Sequence, residues 1–304
     1  MHLRGIFPPM ATPFTADGEA IDVDALKHNL DRWLATGLAG FVLLGSNGEA
    51  AYIDEDEADT LVAEVRSHVP AGRLVIVGTG RESTRATIGA SRRAAGLGAD
   101  AALVRVPGAF KTQMTADALV RHYTAVADAS PIPVILYNFA AAFGVNLPTD
   151  AVATLSAHPN IVGLKESGGD VAQVAEQVAA TPGDFAVVVG AAPALYASLC
   201  VGARGGVVAV ANVVPDACVR LYELTVAGRH QEALALQRAL APLARAVTAT
   251  YGVAGLKAAM TLAGYRGGQP RSPLLPAPPA ALSALSARLL ALQQFFEGPH
   301  VHTA

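Results

Sequence analysis

Short apolar runs of four or five residues recur along the first two thirds of the chain. Most are followed by a polar, glycine-bearing loop and then by apolar residues at helical spacing. Residues 5–14, which hold Pro8, Pro9 and Pro13 and lead to an Asp17-Gly18 turn, predict a first strand. Over residues 24–36, Leu26, Leu30, Trp33 and Leu34 fall at helical spacing, with Gly37 as a C-cap signal. Phe41-Val42-Leu43-Leu44 predicts the second strand, and Gly45-Ser46-Asn47-Gly48-Glu49 turns from it toward a helix over 54–69. The grammar repeats with strands at 74–77, 101–104, 134–137, 161–165, 185–189 and 206–210. Helices are predicted at 83–97, 116–129, 149–157 and from Val171 onward. Eight alternations in roughly 210 residues predict a (β/α)8 barrel over a doubly wound sheet, because such a barrel needs eight strands to close and uses about this length. From Pro215 the strand signal stops. Helical patterns at 216–227, 230–249, 253–264 and 279–296 follow, broken by Gly267-Gly268-Gln269-Pro270 and Pro276-Ala277-Pro278-Pro279. The expected division is a barrel over residues 1–228 and a helical C-terminal region over 229–304.

Composition narrows the class. With 52% hydrophobic and 15% charged residues and a formal net charge of -3 over 304 residues, the chain can bury an extensive core. No basic block of five or six residues occurs, which argues against a nucleic-acid partner, and no apolar run approaches a membrane span. Met1-His2-Leu3-Arg4-Gly5 runs into the first strand pattern without a secretory signal. Cys200 and Cys218 are the only cysteines, giving neither a disulfide framework nor a CxxC motif, so a cytoplasmic location is expected. The histidines are scattered, with His300-Val301-His302 in a tail, and no metal site is expected. Asp54, Glu55, Asp56 and Glu57 read as first-turn carboxylates opposing a helix macrodipole. Gly202-Ala203-Arg204-Gly205-Gly206 precedes a strand instead of following one, against dinucleotide binding.

The candidate chemistry centres on Ile161-Val162-Gly163-Leu164-Lys165, an apolar run that ends in a lysine. Gly168-Gly169-Asp170 then supplies N-cap chemistry for the next helix. Alternation puts Gly163 and Lys165 on one face and Val162 and Leu164 on the other, with Gly163 leaving space beside the lysine stem. Active sites of such barrels form at the C-terminal strand ends, where the loops after strands two, three, five, six and seven converge and Tyr137 stands beside Lys165. A lysine among apolar neighbours loses hydration, which favours the neutral, nucleophilic amine that can condense with a ketone to a Schiff base. The plainer fate of a strand-end lysine is to snorkel to solvent. Of the four lysines, Lys27 and Lys257 fall on helices, and Lys111 lies on a loop where water keeps an amine protonated. Tyr137 offers a phenol as proton shuttle, or is a core tyrosine with a satisfied hydroxyl. The 45–49 turn exposes successive backbone N–H groups as an anion nest, or is a plain strand-to-helix turn; it lacks the Gly-Lys-Ser/Thr ending of a phosphate loop.

Taken together, Gly45-Ser46-Asn47-Gly48-Glu49, Tyr137-Asn138 and Gly163-Leu164-Lys165-Glu166-Ser167-Gly168-Gly169-Asp170 resemble the dihydrodipicolinate synthase/N-acetylneuraminate lyase superfamily of class I aldolases. The resemblance covers essentially the whole chain. Within that superfamily the closest likeness is to the 4-hydroxy-2-oxoglutarate aldolases, through the Ser-Asn form of the turn, Glu82-Ser83-Thr84, Ser130-Pro131-Ile132-Pro133, His158-Pro159-Asn160-Ile161-Val162-Gly163 and Gly252-Val253-Ala254-Gly255-Leu256-Lys257. The resemblance implies that Lys165 forms a Schiff base with a 2-oxo acid such as pyruvate, while Tyr137 relays protons. It implies that Ser46, also catalytic, and Asn47 hold the substrate carboxylate, with Ser167 and Val207 among the substrate-binding residues. It further implies a homotetramer built from tight dimers, with no organic cofactor or metal.

Two departures from the family pattern stand out. Phe110 occupies the place of a second relay tyrosine in the loop after the fourth strand. Asn138-Phe139-Ala140-Ala141-Ala142-Phe143-Gly144 lacks the arginine that dihydrodipicolinate synthases use for the aldehyde substrate's carboxylate. The second departure suggests a less polar distal group, unless Arg105 supplies a compensating charge. The expected activity is therefore 4-hydroxy-2-oxoglutarate aldolase-like. The alternatives are 4-hydroxy-tetrahydrodipicolinate synthase, a 2-keto-3-deoxy sugar-acid aldolase, or a barrel that binds a 2-oxo acid with little turnover.

Overall fold

The computed structural model describes residues 1–297, so His300 and His302 lie outside the described residues. The first half of the barrel runs β1 (Gly5–Phe7), α1 (Val23–Leu34), β2 (Gly40–Leu43), α2 (Glu55–His68), β3 (Leu74–Gly78), α3 (Thr84–Gly96), β4 (Ala101–Arg105) and α4 (Ala116–Ala129). The second half runs β5 (Val134–Asn138), the single turn α5 (Ala140–Phe143), α6 (Thr149–Ser156), β6 (Ile161–Glu166), α7 (Val171–Ala179), β7 (Ala186–Val189), α8 (Leu195–Cys200) and β8 (Gly205–Val207). Four more helices follow, α9 (Pro215–Val226), α10 (His230–Arg245), α11 (Gly252–Leu262) and α12 (Pro279–Glu297). The strands pair in parallel in the order β1-β8-β7-β6-β5-β4-β3-β2. The ring is drawn shut between β1 and β2 by Ala39 N donating to Ile6 O at 2.9 Å and by a parallel bridge between Pro9 and Val42. This is the (β/α)8 barrel that the alternation predicts. Among the described residues no helix is long and apolar enough to cross a membrane.

Side chains alternate between two cores. In β5, Ile135 and Tyr137 join the cluster inside the ring, while Val134 and Leu136 pack outward against the helices; in β7, Ala186 and Val188 point in and Val187 and Val189 out. β6 departs from strict alternation. A register shift opposite Val134 and Ile135 inserts one extra residue, so Val162 packs against the inner cluster while Ile161 and Leu164 face the outer one. A bulge puts two successive residues on one side, and this corrects the expectation that Val162 shares a face with Leu164.

Several boundaries also move. β1 ends at Phe7, because Pro8 and Pro9 have no N–H for a ladder, although Pro8 O still accepts from Val42 N at 3.1 Å. β8 ends at Val207 and the chain curls through residues 209–212, where Asn212 Nδ2 donates to Pro9 O at 3.0 Å and Ala209 O at 2.9 Å. The first helix terminates at Ala35 in a right-handed conformation, not through a left-handed Gly37. The capping expected at Asp170 is present, its side chain accepting from Ala172 N and Gln173 N; Asp54 and Glu57, expected only as first-turn carboxylates, form a reciprocal capping box at α2.

The helices after the barrel are tied to its mouth by a buried charge cluster. Lys257 on α11 is 0% exposed, with Nζ 2.5 Å from Glu49 Oε1, 2.9 Å from Gln269 O and 4.4 Å from the Phe14 ring centroid. Burial pushes its ammonium below the usual lysine range, and Glu49 pulls it back. Arg271 completes the cluster. Its amide donates to Glu49 Oε2 at 2.8 Å, its guanidinium takes both oxygens of Glu57 at 2.6 Å, and it lies 4.1 Å from the same Phe14 ring. Removing one partner of a buried pair strands the other's charge, so Lys257→Met is expected to cost about 3–5 kcal/mol in denaturant unfolding. The double change Glu49→Leu/Lys257→Met should cost less than the sum of the single changes. A single change that costs under about 1 kcal/mol would show that the cluster does not hold the two parts together.

Candidate active site at the barrel mouth

Register brings the two expected reactive side chains together. Tyr137 on β5 is the ladder partner of Lys165 on β6, whose other neighbour is Val188 on β7, so both side chains project into the ring near its C-terminal end. Lys165 is 3% exposed, its Nζ is 4.2 Å from the Tyr137 ring centroid, and it has no carboxylate partner among the described residues. The snorkelling alternative does not occur. The space beside its stem comes from Gly190: a Cβ there would collide with Ser167 Oγ and lie 3.3 Å from Lys165 Cε. Gly163, expected to leave that space, instead lets Ala186 O and Leu3 Cδ2 approach to 2.5 and 3.1 Å of where its Cβ would be.

A second, outward-facing set of side chains holds these strand ends in place. Glu166 is buried, its Oε2 accepting from Asn138 Nδ2 at 2.7 Å and Gln177 Nε2 at 3.3 Å and its Oε1 from Gly168 N at 2.7 Å. Asn138 Oδ1 in turn accepts from Leu147 N at 2.9 Å, while Ser167 N donates to Asn138 O at 3.0 Å and Gly190 N to Glu166 O at 2.7 Å. These bonds satisfy a buried carboxylate without a cation and lock the ends of β5, β6 and β7 to one another. Sequence reasoning missed Asn138 and Glu166 as supports, although each directly follows a candidate residue and so must face the other way.

The loop after β2 is strained and braced. Leu44 and Glu49 adopt φ of 52° and 57°, a left-handed conformation that costs on the order of 1–3 kcal/mol for such residues. Between them Ser46, Asn47 and Gly48 form a single 3-10 turn, whose first two amides, those of Ser46 and Asn47, have no acceptor within it. Gly48 presses on the first strand's extension: its O accepts from Thr12 Oγ1 at 2.8 Å, and a Cβ there would meet Met10 O at 2.8 Å. Glu49 is the residue gripped by Lys257 and Arg271. The result is a fixed pair of N–H groups of the kind that binds a carboxylate.

A cavity of about 660 Å³ opens at this rim, with Ser46, Tyr137, Phe143, Arg81 and Arg105 in its wall. Lys165 does not line it directly and adjoins it through Tyr137. Tyr137 is flanked by Phe139, stacked at 6.5 Å, and Phe143, edge-on at 5.5 Å. Arg105 lies in the wall, with its guanidinium 2.7 Å from Glu82 Oε1 and 5.3 Å from the Phe143 ring centroid. Asn47 is half-buried beside Ser46, and Ser167 Oγ is buried next to Lys165 without a hydrogen-bond partner. Val207 is buried inside the ring with Val188 and is not part of the cavity wall. Phe110 is 69% exposed on the loop after β4, and Lys111 beside it is exposed as well, which removes Lys111 as a rival amine. Among the described residues no group of three or more His, Cys, Asp or Glu side chains is arranged to hold a metal ion.

Comparison with known proteins agrees with this geometry. The model of the dihydrodipicolinate synthetase family matches residues 2–292. A 4-hydroxy-tetrahydrodipicolinate synthase from an Exiguobacterium strain is 35% identical over 293 residues, covering 96% of this chain and 98% of that one. A probable mitochondrial 4-hydroxy-2-oxoglutarate aldolase from Emericella nidulans is 38% identical over 277 residues, 88% of each chain. The solved 4-hydroxy-tetrahydrodipicolinate synthase of Methylacidiphilum fumariolicum SolV superposes with a TM-score of 0.92 at 29% identity, covering 97% of this chain and 98% of that one.

The notch at Gly190 gives a test of how tightly the lysine is held. Gly190→Ala should destabilise by about 1–3 kcal/mol through overpacking and displace the Lys165 side chain in a crystal structure. Adding Ser167→Ala, which deletes the clashing Oγ, should recover part of the loss. Wild-type stability with an unmoved lysine would contradict the packing described here.

Proposed function

The chain belongs to the dihydrodipicolinate synthetase family of class I aldolases and lyases, and we propose that within it this protein is a 4-hydroxy-2-oxoglutarate aldolase-like, pyruvate-releasing lyase that works through a Schiff base on Lys165. The observation that carries the reading is one of proximity. An unpaired, almost fully buried lysine amine lies 4.2 Å from the ring of a tyrosine that shares a cavity wall with the Ser46 turn.

The chemistry follows from those groups. The amides of Ser46 and Asn47 hold the carboxylate of the 2-oxo acid, which presents its carbonyl carbon to Lys165 Nζ. The amine adds to that carbon, and the Tyr137 hydroxyl passes protons as the carbinolamine loses water to an iminium. The cationic iminium draws the electrons of the C3–C4 bond as it breaks. The C4 hydroxyl gives up its proton and leaves as an aldehyde, and the enamine is protonated at C3 and hydrolysed to pyruvate. For 4-hydroxy-2-oxoglutarate the aldehyde is glyoxylate. Ser167, with an unpartnered Oγ next to the lysine, is a further contact for substrate, and Val207 closes the ring beneath it.

The reading includes a homotetramer of tight dimers in the cytoplasm. The two unpaired cysteines, Cys200 and Cys218, fit a reducing compartment, and the exposed Phe110 fits a partner contact at the mouth. The synthase alternative is weakened by residues 139–144, which bring aromatic rings and no arginine to the cavity. A panel of 4-hydroxy-2-oxo acids assayed for pyruvate release tests the proposal. Lys165→Ala should abolish release, and Tyr137→Phe should lower kcat about 10²- to 10⁴-fold. Turnover that survives Lys165→Ala would refute it.

A further inference from the structure

Among the charged side chains around the mouth cavity, one cation is not bonded to a carboxylate. Four carboxylates stand in or beside its wall, and each already has a partner. Glu49 is paired with Lys257 at 2.5 Å, Asp54 caps Glu57 N at 2.8 Å, and Glu55 is bonded to Arg93 at 2.5 Å. Glu82 takes Arg105 at 2.7 Å and the amides of Gly108 and Ala109 at 3.0 and 2.8 Å. Arg81 is the exception. Its side chain is half-buried in the cavity wall and donates to Gly80 O at 3.3 Å, and it is bonded to no carboxylate among the described residues. Burial pushes its guanidinium below the usual arginine range, and Arg93 and Arg105 push in the same direction. Glu55 opposes them from a distance while bonded elsewhere.

Arg93 and Arg105 are each paired, whereas a half-desolvated guanidinium without a carboxylate of its own is costly unless an anion completes it. Arg81 borders two openings, a narrow one of about 20 Å³ shared with Asp59 and Arg93 and the cavity of about 660 Å³ that also holds Ser46 and Tyr137; the larger is the one with room for an organic anion. We propose that Arg81, with Arg105 beside it, is the receptor for a second carboxylate at the far end of the substrate, so that this site takes 2-oxo dicarboxylic acids in preference to substrates with a neutral or polyhydroxyl tail. The positive charge that residues 139–144 lack is delivered from the loop after β3 and the end of β4. Phe143 lies 5.3 Å from the Arg105 guanidinium, so the aromatic loop seats the cation instead of making the pocket less polar. The expectation of a less polar distal group thereby gives way to its stated alternative, a compensating charge at Arg105, with Arg81 joining it.

The inference rests on the Schiff-base reading, and one experiment separates the two. The full-length protein is assayed for pyruvate release from 4-hydroxy-2-oxoglutarate and from its analogue in which the distal carboxylate is a carboxamide of the same shape. The wild type should prefer the dicarboxylate in kcat/KM by about 10- to 100-fold. Arg81→Gln should erase the preference by raising KM for the dicarboxylate while changing KM for the carboxamide less than about 3-fold, and Arg81→Lys should restore part of it. Equal turnover of both substrates by the wild type, or a loss in Arg81→Gln that is the same for both, overturns the distal receptor and leaves the Schiff base standing. Pyruvate from neither substrate overturns both.

Discussion

A single lysine held on the inner face of a closed ring of strands is the constraint to which the other features of this molecule answer. An amine is most easily hydrated at a surface, and here Lys165 is 3% exposed, against the Tyr137 ring and, among the described residues, with no carboxylate partner. Parallel pairing on both sides leaves it no lateral freedom, and Gly190 supplies the one gap that its stem occupies. The carboxylate of Glu166, the next residue, does not pair with the amine. It faces away and is satisfied by Asn138, Gln177 and a backbone amide.

The turn after β2 shows how a distant part of the chain shapes the barrel mouth. Two non-glycine residues in left-handed conformations persist only where their surroundings overdetermine them. For Glu49 those surroundings are Lys257 and Arg271, some 200 residues further along the chain. The helices beyond β8 are thus more than a cover for the barrel. Through one buried glutamate they brace the backbone of the turn that carries the Ser46 and Asn47 amides.

Much of this was legible in the order of residues. Alternating apolar runs and helical patterns gave the eight-strand barrel, because each strand's burial is recorded in its own composition, and capping chemistry at Asp170 marked the start of α7. Lys165 and Tyr137 were found because both end a strand. What escaped depended on contacts between segments far apart in the chain. The bulge at Val162 is invisible without its partner strand, and the glycine that makes room for Lys165 proved to be Gly190, just past the end of the next strand, not Gly163 on its own. Lys257 looked like an ordinary helical lysine, since nothing local reveals that it meets Glu49. Arg81 gave no signal for the same reason, as its lack of a partner emerges only when every neighbouring carboxylate has been placed.

Reductive trapping tests the central claim most directly. Incubation of the protein with pyruvate and borohydride, followed by peptide mapping by mass spectrometry, should place a single reduced pyruvyl adduct on Lys165 Nζ. An adduct on Lys27, Lys111 or Lys257, or no adduct at all, would contradict the assignment of this buried amine as the reactive centre.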